Sequence, residues 1–425
     1  MEMNEISGDF KMTELGPLPE EWTVVPLQKL NSQKKVSLNP ANFPDEIFEY
    51  YSIPNYQNSK KPSFEQGASI LSQKILLNNG AVLFGKLNPR VEKVWKVESD
   101  TQHRKIGSTE WFPIFPDNEK VDSDFLYYVE WSKYVMPKAK TLVTGSTPSR
   151  QRVDQTSFYK IKIPLPPLSE QQKIAKVLST VQEAKEKSDA VIIATKDLKK
   201  SLMHKLFAEG LNGEEQKETE IGLIPERWDV MRLGDITEKT KQTDQRKNPN
   251  NKFKYIDVSG ISNKFFQIVE FKEYLGKEAP NRARKMIKAN DIIFATVRPY
   301  LKRVAIVPDA FDGEICSTAF CVVRCKREIA NPIFVFNCLL NDTFVDKVSE
   351  LQRGSSYPAV TDKDVLNQKI PFPPLSEQQQ IAHILSTVDK KIGVEERRKN
   401  TLKELFKTML HKLMSGEKRL KEVEI

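Results

Sequence analysis

The amino-acid sequence predicts an α+β protein, mixed α/β in its globular parts: two domains joined by two long antiparallel helices that form a coiled coil, related by a pseudo-two-fold internal repeat. Three observations carry that expectation. At 425 residues the chain exceeds the roughly 100 to 200 residues of an ordinary domain. Residues 163–175 read IPLPPLSEQQKIA and residues 370–382 read IPFPPLSEQQQIA, at an offset of 207 that returns at LSTV (178–181 and 385–388) and at His204-Lys205-Leu206 against His411-Lys412-Leu413. A second pair, KMTELGPLPEEW at 11–22 and KETEIGLIPERW at 217–228, opens each half at an offset of 206. Such a period is far above the roughly 20 to 50 residues of solenoid repeats, so each unit is a whole domain plus a connector.

The elements follow in order. A first domain is expected over 1–167, with the apolar run and proline turn AVLFGKLNPR at 81–90. Pro166-Pro167 then stops the preceding structure, and Ser169 with Gln172 three residues on has the pattern of a capping box, so a spacer helix is expected over 168–212. Within it Ile174, Val181, Ser188, Thr195 and Leu202 recur every seven residues, with Val177, Ala184, Val191 and Leu198 between them, as a coiled-coil seam requires; Gly210 and Gly213 end it. The second domain, 213–374, carries short apolar runs at 253–258, 291–297 and 318–323, and DIIFATVRPY at 291–300 matches the run and turn of the first. Pro373-Pro374, Ser376 and Gln379 open the last segment, 375–425. Its stripe is Ile381, Leu385, Val388, Ile392, Leu402, Leu405, Met409 and Leu413, with Glu395 and Lys399 as a polar interruption and Gly416 as the stop. The first helix must leave one domain and arrive at the next, where the second helix begins, so the two seams are expected to meet antiparallel.

Composition narrows the function classes. With 39% hydrophobic and 29% charged residues the chain has a soluble, globular composition. No run approaches the roughly 18 to 20 apolar residues that cross a bilayer, and MEMNEISGDFKM lacks the basic start and apolar stretch of a signal peptide, so a cytoplasmic location and no membrane partner are expected. Four cysteines, Cys316, Cys321, Cys325 and Cys338, are too few for a disulfide framework and are expected reduced and buried. The net charge of +9 points to a polyanionic partner.

Catalytic patterns are missing where they would be sought. Gly80 to Leu87 has P-loop spacing, but Leu87 stands where Mg²⁺ needs Ser or Thr, and the matching stretch Asp291–Val297 keeps neither glycine nor lysine, so a buried strand is expected. His103, His204, His383 and His411 are scattered, which leaves no zinc cluster. Neither GxSxG, HExxH nor GxGxxG occurs, and no cofactor or metal site is expected in this chain. What remains is basic and amide side chains on proline- and glycine-marked loops. In the first half these are Lys86, Asn88, Arg90, Lys93, Arg104, Lys105, Ser146, Thr147, Arg150 and Arg152; in the second, Asn281, Arg282, Arg284, Lys285, Arg298, Lys302, Arg303, Arg353, Ser355 and Tyr357. Arg, Lys and Asn reach base edges in a major groove, and Ser, Thr and backbone amides suit phosphates, so these are the candidate DNA contacts.

Taken together, the lead-in of Glu-Leu/Ile-Gly, Pro-Glu and Trp and the doubled close Ile-Pro-Leu/Phe-Pro-Pro-Leu-Ser-Glu-Gln resemble the specificity subunit of type I restriction-modification systems, over nearly the whole chain. The resemblance implies two target-recognition domains, each reading half of an asymmetric bipartite site in double-stranded DNA, held apart by the paired helices. It implies no catalysis in this chain. It also implies docking of two copies of a methyltransferase subunit, which binds S-adenosylmethionine, and of restriction-translocase subunits that use ATP and Mg²⁺. A stand-alone nuclease or methyltransferase, and a transcriptional regulator with two DNA-binding modules, are the alternatives; neither accounts for helices repeated more faithfully than domains.

Overall fold

A computed structural model of the chain describes residues 10–354, 356 and 358–420. The chain divides into two compact units: residues up to Asp189 together with those from Arg397 onward, and Ala190–Glu396. The division falls inside both long helices, whereas the sequence suggested breaks at their ends, because each helix packs part of its length on each unit. No helix among the described residues is long and apolar enough to cross a membrane.

In the first unit the hairpin of Phe10–Thr13 and Gly16–Pro19 leads to Trp22, which is fully buried. Thr23–Pro26 then pairs antiparallel with Lys162–Leu165, Val25 opposite Ile163, so the first and last strands of the globular part close on each other. Between them lie a five-stranded sheet, in the order Ser37–Leu38, Lys74–Leu77, Arg104–Gly107, Ile47–Tyr51, Ser63–Gln66, and a three-stranded sheet of Trp111–Ile114, Val82–Gly85 and Val94–Lys96. Only Arg104–Gly107 and Ile47–Tyr51 run parallel in the larger sheet. Every residue of Val82–Gly85 is buried, which makes the P-loop look-alike a core strand.

The second unit repeats the plan. Asp229–Arg232 pairs antiparallel with Lys369–Phe372, Met231 opposite Ile370, in the register of the first unit shifted by 206 and 207. One four-stranded sheet has the order Thr237–Glu238, Phe320–Cys325, Ile292–Ala295, Val304–Ile306; the other has Lys272–Leu275, Lys252–Ile256, Ile315–Ser317, Ala283–Met286, again with one parallel pair. The three apolar runs read from the sequence thus form the strands Lys252–Ile256, Ile292–Ala295 and Phe320–Cys325. All four cysteines are buried and unbridged, and burial pushes the Cys325 thiol up to about 12.

The long helices span Leu168–Glu209 and Leu375–Met414. They begin one residue before the serines expected to cap them. Pro167 and Pro374 supply the first acceptors, taking the N–H groups of Glu170 and Gln171 (2.9 and 3.0 Å) and of Glu377 and Gln378 (2.9 and 3.0 Å). The glutamine that bridges to the domain is Gln171, not the exposed Gln172: its side chain accepts from the Asp122 N–H (2.9 Å) and donates to the carbonyls of Lys120 and Pro166. Gln378 does the same with Asn331, Ile329 and Pro373. The two helices run antiparallel within each unit. In the first, Leu413, Met409 and Phe406 join the core of Ile174, Val177 and Leu178, and Lys399 pairs with Asp189. In the second, Leu202 and Leu206 join Ile381 and Leu385, while Lys199 pairs with Asp389 (2.7 Å) and Lys196 with Glu396 (2.9 Å).

The inward stripe keeps the expected positions 174, 181, 188, 195 and 202 and, apart from Leu405, the expected stripe of the second helix, but it differs in phase at the positions between them in the first. Val191 (38% exposed), Leu198 (58%) and Leu405 (43%) face outward. The inward positions follow 174, 178, 181, 185, 188, 192 and so on to 206, four then three apart, and the matching series 381, 385, 388, 392, 395, 399, 402, 406, 409, 413 in the second helix. Leu178 and Ile192 therefore replace Val177 and Val191 as the principal alternate positions, and Phe406 replaces Leu405; Val181, Leu202, Val388, Leu402 and Met409 stay partly buried. Both phases satisfy a seven-residue repeat, and only the packed core chooses between them.

Candidate nucleic-acid interface

In each unit a buried strand runs into a turn of the same construction. After Val82–Gly85 the chain reaches Asn88-Pro89-Arg90; after Ile292–Ala295 it reaches Arg298-Pro299-Tyr300. The residue ahead of each proline is left-handed, Asn88 at φ 47° and Arg298 at φ 49°. That conformation strains a residue with a side chain by ~1–3 kcal/mol and persists only where surrounding structure imposes it. The imposing structure is a glycine loop. The Asn88 N–H donates to the Gln151 carbonyl (2.8 Å), and Leu87 bridges to Arg152; the Arg298 N–H donates to the Pro358 carbonyl (2.9 Å), and Val297 bridges to Ala359. Each turn is thereby fixed beside a glycine-bearing stretch, 145–152 in the first unit and, among the described residues, Arg353, Gly354, Ser356, Pro358 and Ala359 in the second, whose glycine is itself left-handed (Gly145 at φ 102°, Gly354 at φ 91°).

Several predicted residues gather at these two places. In the first unit Arg90, Ser146, Thr147, Arg150 and Arg152 are exposed, Lys86 lies over the Phe112 ring, and Arg152 pairs with Glu110 at 3.1 Å. In the second, exposed Arg298 reaches toward the Ser356 carbonyl, and Arg353 is exposed with Asp364 3.3 Å away. Ser355 and Tyr357 lie outside the described residues.

Other predicted contacts turn out to be struts. Lys93 is only 2% exposed; it donates to the carbonyls of Asn88 and Val91, which holds the turn from behind, and burial lowers its pKa. Lys285, 5% exposed, donates to the Phe320 carbonyl and pairs with Asp362. Arg303 donates from Nη1 to the carbonyls of Val258, Ser259 and Ile261, and Lys302 pairs with Asp342. Arg104 forms a two-pronged pair with Glu46 under the Phe43 ring, Lys105 donates to the Thr101 carbonyl near Glu49, and Arg284 pairs with Asp244 at 2.8 Å. Each is committed to a partner within its own unit. Arg282 remains exposed, at the rim of a 280 Å³ cavity walled by Tyr255, Phe271 and Tyr274. Sequence reasoning missed Tyr300, 51% exposed just after the second proline, where Arg90 stands in the first unit. Its signal was the match between LNPR and VRPY, which pairs arginine with tyrosine.

The arrangement is thus a repeated backbone frame with unlike side chains on it: amide and guanidinium in one unit, guanidinium and phenol in the other. Such side chains are of the types that donate to base edges and phosphates. Among the described residues no group of three or more His, Cys, Asp or Glu is placed to hold a metal ion.

A family model described as the type I restriction modification DNA specificity domain matches residues 19–192 and 225–404. The type I restriction enzyme MjaVIII specificity subunit of Methanocaldococcus jannaschii is 27% identical over 417 residues, which cover 96% of this chain and 95% of that protein. The type I restriction enzyme EcoDI specificity subunit of Escherichia coli is 25% identical over 295 residues, 60% of this chain and 62% of that one. Among solved structures, the S subunit of a type I restriction-modification system from M. genitalium superposes with a TM-score of 0.57 at 17% identity, covering 92% of this chain and 96% of its own. A chain from a structure on complex assembly and conformational transition of the type I R-M system gives 0.56 at 19% identity, covering 94% and 99%.

Proposed function

This chain belongs to the type I restriction-modification DNA specificity family, and we propose that its two pinned turns with their glycine loops are the surfaces through which it reads an asymmetric bipartite DNA site. One observation carries the assignment of the surfaces: the strand, left-handed residue, proline and loop are repeated in both units, while the exposed side chains on them are not. A shared frame with unlike side chains reads two unlike half-sites by one docking geometry. Arg90, Arg150 and Asn88 act in the first unit, Arg298, Tyr300 and Arg353 in the second. Phosphate contacts supply salt-dependent affinity and a few two-pronged base contacts, ~1–3 kcal/mol each, supply discrimination.

In this reading the chain catalyses nothing itself. Two copies of a methyltransferase subunit dock on the repeated helices, whose near-identical sequences offer the same surface twice, and restriction-translocase subunits join that complex in the cytoplasm. Helix length sets the number of base pairs between the half-sites. The test is to co-express the chain with its methyltransferase subunit in cells lacking such methylation and map modified adenines. The wild type is expected to give one two-part motif with a fixed spacer. Arg90→Ala should relax only one half of it and Arg298→Ala only the other, each with ~10- to 100-fold lower methylation at the original site. Loss of sequence preference in both halves from either variant refutes the assignment.

A further inference from the structure

Duplication creates a hazard of its own: each unit presents a nearly identical seat for the end of a helix. The seat is built on the first-turn glutamate of one long helix and the tryptophan of the lead-in segment. In the first unit the Trp22 Nε1–H donates to Glu170 (3.0 Å), and in the second the Trp228 Nε1–H donates to Glu377 (3.1 Å). Both carboxylates are nearly buried, with side chains 4% and 5% exposed. Into each seat runs the chain that follows the other helix: Gly416–Leu420 in the first unit, Gly210–Glu214 in the second. The second of these is tethered, since only thirteen residues separate Glu214 from Trp228. The first is not, and must find a lead-in segment some 400 residues away in sequence.

The charges that complete the two seats are exchanged. In the first unit the lead-in residue is acidic, Glu21, and the incoming residue basic: Arg419 places Nε 2.7 Å and Nη2 2.8 Å from the Glu170 oxygens and Nη2 3.1 Å from Glu21. In the second unit the lead-in residue at the matching position is basic, Arg227, and the incoming one acidic: Arg227 Nη2 lies 2.9 Å from Glu377, and its guanidinium takes Glu214 in a two-pronged pair. Positions 21 and 227 are equivalent at the offset of 206, within segments that otherwise share Lys, Thr, Glu, Gly, Pro, Glu and Trp. Among the described residues, these ion pairs of each seat thus join one arginine with two glutamates, supplied from opposite sides.

We infer that this exchange is a pairing code: it admits the C-terminal segment, through Arg419, at the first unit's seat and rejects it at the second's. Seated wrongly, Arg419 would face Arg227, with Glu214 displaced, and in the first unit Glu170 and Glu21 would lose the guanidinium they share. Like charges brought together beside a nearly buried carboxylate discriminate between otherwise similar surfaces, which is how repeated sequences avoid pairing with the wrong copy of themselves. The partner this surface fits is the Arg419 segment of the same chain, and the partner it refuses is the same segment of a second copy arriving at the second seat.

The test uses four full-length proteins: wild type, Glu21→Arg with Arg419→Glu, Glu214→Arg with Arg227→Glu, and the quadruple variant that combines both exchanges. Every seat in all four holds one arginine and two glutamates, so simple ion-pair stabilisation predicts four equal behaviours. The code predicts otherwise. Each double variant gives both seats the same polarity, and after refolding at micromolar concentration, size-exclusion chromatography with light scattering should show at least about tenfold more material away from the wild-type mass. The quadruple variant has opposite polarities again and should return to the wild-type distribution. A double variant that refolds as cleanly as wild type, or a quadruple variant as impaired as the doubles, overturns the inference.

Discussion

Glu130 lies wholly inside the first unit, with neither carboxylate oxygen hydrogen-bonded to any described group. Burial holds its carboxyl well above the ordinary value near 4.5, so the fold favours the protonated form more than the unfolded chain does. The sign follows: this side chain costs nothing through ionisation below that ordinary value, and its cost grows as pH rises above it. Glu130→Met should therefore stabilise the chain by ~1–3 kcal/mol at pH 7, with a smaller gain at pH 4, measured as the shift in urea midpoint. A gain as large at pH 4 as at pH 7 refutes the ionisation account. The same scale shows what a residue list conceals. Lys285 and Arg90 look alike in the sequence, yet Lys285 is neutralised by Asp362, 77 positions on, and Arg104 by Glu46, 58 positions back. A basic residue's partner, whether water, carboxylate or phosphate, is a matter of what the fold brings near it. The left-handed Asn88 and Arg298 were equally hidden, because residues ahead of proline prefer extended backbone and it is the hydrogen bonds their N–H groups donate to the carbonyls of Gln151 and Pro358 that hold them otherwise.

Among the elements, the long helices were the most legible. Proline pairs, a seven-residue period and terminal glycines marked both to within a few residues, because each signal is local. The phase of their alternate positions was not, since the outward Leu198 and Leu405 satisfy a heptad as well as the inward Lys199 and Phe406 do. Lys199 keeps its stem on the seam and carries its ammonium to Asp389, so a charged residue occupies a position that hydrophobic patterning assigns to its neighbour. The strict four-then-three spacing makes an element-scale prediction. One heptad inserted in each helix at facing positions keeps the stripe in phase and adds ~10 Å of length. The methylated motif should then keep both half-sites and lengthen its spacer by about three base pairs at the 3.4 Å rise of DNA. An unchanged spacer removes the helices from the role of ruler.

Across the whole molecule, the closing strand pairs bound what can be exchanged. Thr23–Pro26 with Lys162–Leu165, and the seat around Glu170, belong to the repeated frame, so residues 27–161 form the variable insert of the first unit. Replacing them with the matching insert of another family member should change one half-site of the methylated motif and leave the other and the spacer intact. A change in both halves refutes independent reading. The sequence by itself determined the duplication, the two helices, their stops and the family, because those are written in local spacing and in near-identity between the halves. The tertiary structure alone decided the unit boundaries inside the helices, the alternate positions of the stripe, which basic side chains stay exposed, and the partners that Glu21 and Arg227 meet. Each of those depends on a partner distant along the chain, and the energy of a charge or an apolar side chain is settled by what surrounds it.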